Sequence, residues 1–196
     1  VEGVGETRRR LPRSAEGHLR AGLDGGGMGF PEVSLGNLSG SVGLELLGPG
    51  PQGAAPLLAV NLDLGLASAE AAGTLAADGE VGLALLPLPD VRFLVAGVAG
   101  VRLFDESIWR PYLGYISLQD LRDREMEVPT GSLTLPTLGG RFGIVVGARR
   151  LSPLSFRASF HGQAMFMQDP FDGTRRVVPR LGGTVGIDFL LPSAVR

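Results

Sequence analysis

Along "LSFRASFHGQAMFM", alternate positions are apolar. Leu154, Phe156, Ala158, Phe160, Gly162, Ala164 and Phe166 share one parity, and Ser155, Arg157, Ser159, His161, Gln163, Met165 and Met167 the other. Alternation of this kind marks a strand with two unlike faces. The same period recurs from Asn37 onward. "NLSGSVGLELL" aligns Leu38, Val42, Leu44 and Leu46; "LLAVNLDLGLAS" aligns Val60, Leu62, Leu64 and Leu66; "TLAADGEVGLALL" aligns Leu75, Val81, Leu83 and Leu85. "VRFLVAGVAGVRLF" aligns Val91, Phe93, Val95, Val101 and Leu103, and "GRFGIVVGARR" aligns Phe142, Ile144 and Val146. "RPYLGYISL" at 110–118 is a weaker segment, and "LGGTVGIDFLL" closes the series. Turn-like stretches separate the segments: "GPGPQGAAP", "PLPD", "DESIW" and "RLSP". The pattern predicts about eight strands in an all-β, antiparallel, up-and-down arrangement. "HLRAGLD" and "GSLTLP", added as a pair, would make ten.

These segments exceed the roughly 5 or 6 residues of an ordinary globular strand. They match the roughly 9 to 11 that cross a bilayer at a tilt. Parity adds a second argument. One set of faces carries Glu45, Asp63, Glu80, Arg92, Arg102, Arg141, Arg149, Arg157, His161 and Asp188, while the opposite faces carry almost no charge. With lipid against the apolar faces, the expected architecture is a transmembrane β-barrel over 37–192 whose inward set forms a luminal network. Its four acids and five arginines are close to balance, and an eight-stranded interior is only wide enough for side chains to fill it. With water outside instead, the same alternation describes a soluble barrel or sandwich that binds an apolar ligand or forms an oligomer.

Residues 1–36 differ from the rest. They carry an arginine cluster at Arg8, Arg9, Arg10 and Arg13, then "HLRAGLD" and a glycine-rich linker, and are expected to be a tail or accessory strand; 193–196 are expected to be a C-terminal extension. The opening residues have no apolar core after the basic run, the pattern of a chain from which a signal peptide has been removed. A net charge of −2 argues against a nucleic-acid partner. The absence of cysteine excludes disulfides and thiolate metal sites. All 18 basic residues are arginine.

The segment "TVGIDFLL" resembles the insertion signal of outer-membrane barrels, with Thr184, Gly186, Phe189 and Leu191 at the matching positions. "GRFGIVVGARRLSPLSFRASF" is similar to the strand, tight turn and strand of small outer-membrane β-barrels of the OmpA, OmpX and OmpW type. The resemblance covers about the last third of the chain at the level of pattern. It implies a bacterial outer-membrane location and contact with outer-membrane lipid. The expected role is structural or binding, through the polar loops 119–138 and 168–180 as the surface for a protein partner, with limited small-solute passage as an accompanying function.

Catalytic chemistry has little material. Small outer-membrane lipid A deacylases use a histidine and a serine on a late strand, but their histidine precedes serine and asparagine, whereas "HGQ" follows Ser159 here. An outer-membrane lipid-modifying enzyme is therefore the remaining alternative, and no catalytic residue is assigned. "QDPFDG" has the spaced aspartates of a calcium loop without the later bidentate acid. The glycines of "LDGGGMGF" lack the context of a phosphate loop. No metal or cofactor is expected.

Overall fold

The computed structural model describes residues 15–30, 33–50, 53–67, 72–88, 90–109, 130–147, 153–169 and 173–191. Eight strands follow one another: β1 (Glu16–Gly29), β2 (Ser34–Leu47), β3 (Ala54–Ala67), β4 (Ala72–Leu88), β5 (Val91–Phe104), β6 (Leu133–Val146), β7 (Leu154–Gln168) and β8 (Arg175–Leu190). Each pairs antiparallel with the next, and β1 pairs with β8, so the sheet closes into a barrel without a free edge. One 3-10 turn, Glu106–Ile108, follows β5, capped by the Asp105 carboxylate, which accepts from the Ser107 amide at 2.8 Å.

Alternation dictates which side of the wall each residue takes. Leu64 and Phe156 are both 72% exposed on the outside, while Glu45 and Asp188 on the inside are fully buried. No charged residue lies on the outward face of β3, β4 or β5 among the described residues. The coat is aliphatic on β1–β4 and gains Phe93, Phe142, Phe156, Phe160, Phe166 and Phe189 on β5–β8. Two of these rings stack, Phe93 on Phe142, with centroids 6.3 Å apart.

The strand count agrees with the sequence-based expectation, but the membership differs. Of the two expectations for 1–36, a tail or an accessory strand, the described part follows the second and goes further: Glu16–Gly29 is a full wall strand, paired on both sides. Main-chain hydrogen bonds to two neighbours hold in place a sequence whose glycines would leave it flexible in isolation. The strand expected at 110–118 lies outside the described residues, as do the cluster at Arg8–Arg13, Arg149 and the extension 193–196. Two expected loops shorten as well. Residues 133–138, including most of "GSLTLP", form the first half of β6, and 175–180 open β8.

These changes also settle the sidedness of the connections. The start of β1, the end of β8 and the strand ends joined through 48–53, 89–90 and 147–153 lie at one end of the barrel; the strand ends joined through 30–33, 68–71, 105–132 and 169–174 lie at the other. Counting from Asn37 with a strand at 110–118 puts "PLPD" on the side of the long loops; joining β5 to β6 through the single connection 105–132 moves it to the side of the short ones.

Inside the loop-bearing end, an apolar cluster draws on all eight strands and the 3-10 turn, among them Met28, Leu35, Phe104, Ile108, Trp109 and Met165. A second one, including Leu47, Leu57, Leu94 and Val145, lines the β2–β6 side of the opposite end. If the outer coat faces hydrocarbon, Val60→Arg, in mid-belt on β3, destabilises the folded barrel by about 2–4 kcal/mol. Urea titration in lipid vesicles measures this, with Ser34→Arg near the rim as a milder comparison.

Candidate functional site: the charged interior

The charged side chains of the interior come from strands far apart in sequence but adjacent around the barrel. Among the described residues six acids (Asp24, Glu45, Asp63, Asp78, Glu80 and Asp188) meet six arginines (Arg20, Arg92, Arg102, Arg141, Arg157 and Arg180). Burial without partners would cost several kcal/mol per charge, and the geometry supplies the partners.

Glu45 on β2 is the hub nearer the chain termini. Arg20 pairs with it, Arg157 donates to Oε2 at 2.8 Å, and Arg92 lies 3.5 Å from Oε1. Arg157 also grips Asp188 through two nitrogens, at 2.8 Å and 2.6 Å. This two-point contact suits the planar guanidinium. Glu80 on β4 takes Arg141, Asn61 and, at 3.2 Å, Arg20. Arg92 donates to His18 Nε2 at 3.1 Å. An arginine nitrogen can only donate, so this His18 nitrogen is the accepting one.

Toward the loops, Asp24 on β1 plays the same part. Arg180 pairs with it, the Thr184 hydroxyl donates to it at 2.8 Å, and Asn37 does so at 3.4 Å. Arg180 also donates to Gln163 Oε1 at 2.8 Å and to His161 Nε2. Asp78 accepts from Thr137 at 3.2 Å and from Gln163 at 3.4 Å. Arg102 is wholly buried, 3.6 Å from Asp63. A residual void of about 20 Å³, bordered by Arg20, Asn61, Asp63, Arg141, Arg157 and Asp188 among others, has room for about one water.

Of the inward set read from the sequence, Glu45, Asp63, Glu80, Arg92, Arg102, Arg157, His161 and Asp188 are buried in the interior, and Arg141 is nearly so. Reading the sequence missed His18, Arg20, Asp24, Asp78 and Arg180. His18, Arg20 and Asp24 alternate in "HLRAGLD", and Asp78 has the parity of Glu80, so both signals were present. Arg180 was hidden by its place in a segment taken for a loop.

The remaining candidates find other uses. Ser159 Oγ has no hydrogen-bond partner, and His161 is turned to Arg180 and Asp24, so the pair does not form the nucleophile and base of a hydrolase. Asp169 is ion-paired with Arg176 at 2.8 Å. No group of metal-binding side chains occurs among the described residues. The interior is charged, and thus unlike the apolar cavity of a soluble lipid carrier. In the C-terminal segment, Thr184 turns inward to Asp24, Gly186 lies opposite Gly22, Phe189 faces outward, and the Leu191 amide donates to the Gly17 carbonyl at 2.8 Å.

No protein-family model matches the chain, and no curated protein matches it by sequence. Among solved structures that resemble it, Neisserial surface protein A is 9% identical with a TM-score of 0.55, over 90% of this chain and 98% of that one. Ail, the attachment invasion locus protein of Yersinia pestis, is 10% identical with a TM-score of 0.51, over 91% and 99%. At such identities the likeness is one of fold: a closed, antiparallel eight-stranded barrel of the small outer-membrane type.

Removing the hub tests the network. Glu45→Ala leaves three buried arginines short of a counter-charge and lowers stability by about 3–5 kcal/mol in a denaturant titration. Glu106→Ala, at an exposed site, changes it by no more than about 0.5 kcal/mol.

Proposed function

We propose that this protein is an integral barrel of the bacterial outer membrane, non-enzymatic, with a charge-plugged interior. Its role is structural or binding, and its partners meet it at the loop-bearing end. The observation that carries this reading is the inversion of the usual pattern: apolar side chains cover the outside, and six arginines ion-paired with five acids, beside Asp78 held by Thr137 and Gln163, occupy the inside. That arrangement suits a wall between hydrocarbon and a polar core.

A plug accounts better than a pore for the interior. The void would hold about one water, and the apolar cluster around Trp109 spans the loop-bearing mouth. Limited solute passage, the accompanying role expected from sequence, would require these ion pairs to part. The binding role falls to the connections at 105–132 and 169–174, because recognition on a rigid scaffold usually resides in its loops. Both leave the end opposite the termini, which in an outer-membrane barrel faces outward from the cell. Thr184, Gly186, Phe189 and Leu191 would serve as the insertion signal, and reaching the outer membrane requires an export signal that is afterwards removed.

Planar-bilayer recording tests the plug. The purified protein is expected to insert without stepwise ion conductance; stable unitary currents from the unmodified chain would contradict the reading.

A further inference from the structure

The junction that closes the barrel differs in construction from the other seven. Where β1 meets β8, three register pairs set glycine against glycine: Gly22 opposite Gly186, Gly25 opposite Gly183, and Gly26 opposite Gly182. Elsewhere a junction has one such pair, as in Gly27 with Gly36, Gly97 with Gly140 and Gly140 with Gly162, or none. Cross-strand side-chain pairs are a main source of sheet stability. Over the middle of β1 and β8 the closing junction gives up three of them and depends more heavily on main-chain hydrogen bonds.

Two observations show how the junction is nevertheless held. On the inner side the strands approach too closely for side chains. A Cβ on Gly26 would lie 2.2 Å from the Leu181 carbonyl oxygen, and one on Gly186 would lie 2.3 Å from that of Ala21. Over this bare stretch one carboxylate reaches across. Asp24 on β1 takes the Arg180 guanidinium and the Thr184 hydroxyl, both from β8, and lies 3.5 Å from His161 on β7.

We propose that the β1–β8 junction is the seam along which this barrel opens, and that Asp24 is its latch. The seam joins the first and last strands, so no direct chain connection tethers its two sides as one does at the other seven junctions. Its glycine pairs lower the cost of parting, and the latch confines opening to brief excursions.

Hydrogen exchange on the whole protein in detergent micelles tests this. Amides bonded across β1–β8 at 22–26 and 182–186 are expected to have protection factors at least tenfold below those bonded across β3–β4 at 58–64 and 75–81. Asp24→Asn should lower protection at the seam by a further tenfold or more and leave β3–β4 unchanged. A covalent staple gives the converse readout. In this cysteine-free chain, the outward register partners Leu23 and Val185, both changed to Cys and oxidised, should raise the unfolding midpoint more than the same change at Leu62 and Ala77. Equal protection at the two junctions, an Asp24→Asn effect spread evenly over all strands, or equal gains from the two staples would each overturn the proposal.

Discussion

Every guanidinium that the strands turn inward has to meet a carboxylate there, because the outer coat offers none and the side chain is buried. The rest of the structure follows from that requirement. It explains why Glu45, Asp24 and Glu80 each gather several partners instead of forming isolated pairs. It also fixes strand register. A one-residue slip would carry a charged row to the apolar outside and leave its partners unmatched. Ion pairs of this kind are weak evidence for net stability, since apolar fillings often do as well; here they specify which strands face one another.

The two apolar clusters complete the interior in different ways. At the loop-bearing end the cluster draws on every strand, and the Trp109 ring lies within it, its Nε1 donating to the Gly131 carbonyl at 2.9 Å. That bond ties together the two ends of the longest connection in the barrel. At the other end the apolar cluster covers only the β2–β6 side, leaving His18 and Arg92 beside Glu16, which is partly exposed. The interior is therefore more firmly closed toward the loops than toward the termini.

Much of this was legible in the sequence, because alternation with period two survives any tertiary context that keeps one face apolar. The parity of Glu45, Asp63, Glu80, Arg157 and Asp188 placed them on one face before any coordinates. What was lost had a physical cause in each case. Gly25, Gly26 and Gly27 carry no side chains from which to read a face, so the sequence supports no more than an accessory strand there, and Arg20 and Asp24 are left out of the inward set with it. Pro179 and the polar residues before it suggest a loop at the start of β8, yet Pro179 lies on the outward face as the strand's fifth residue, and Arg180 beside it is buried inside. Partners such as Asp24 and Arg180 are separated by 156 positions, and no local pattern announces a pairing over that distance.

The decisive property of this barrel is which side of its wall meets lipid. Single cysteines placed in turn from Leu58 to Leu64 on β3, spin-labelled and reconstituted in lipid vesicles, would report contact with lipid-dissolved oxygen residue by residue. High oxygen contact is expected at Leu58, Val60, Leu62 and Leu64, and low contact with both oxygen and a water-soluble relaxant at Ala59, Asn61 and Asp63. Labels at the four leucine and valine positions that met the water-soluble relaxant instead would contradict a lipid-facing coat.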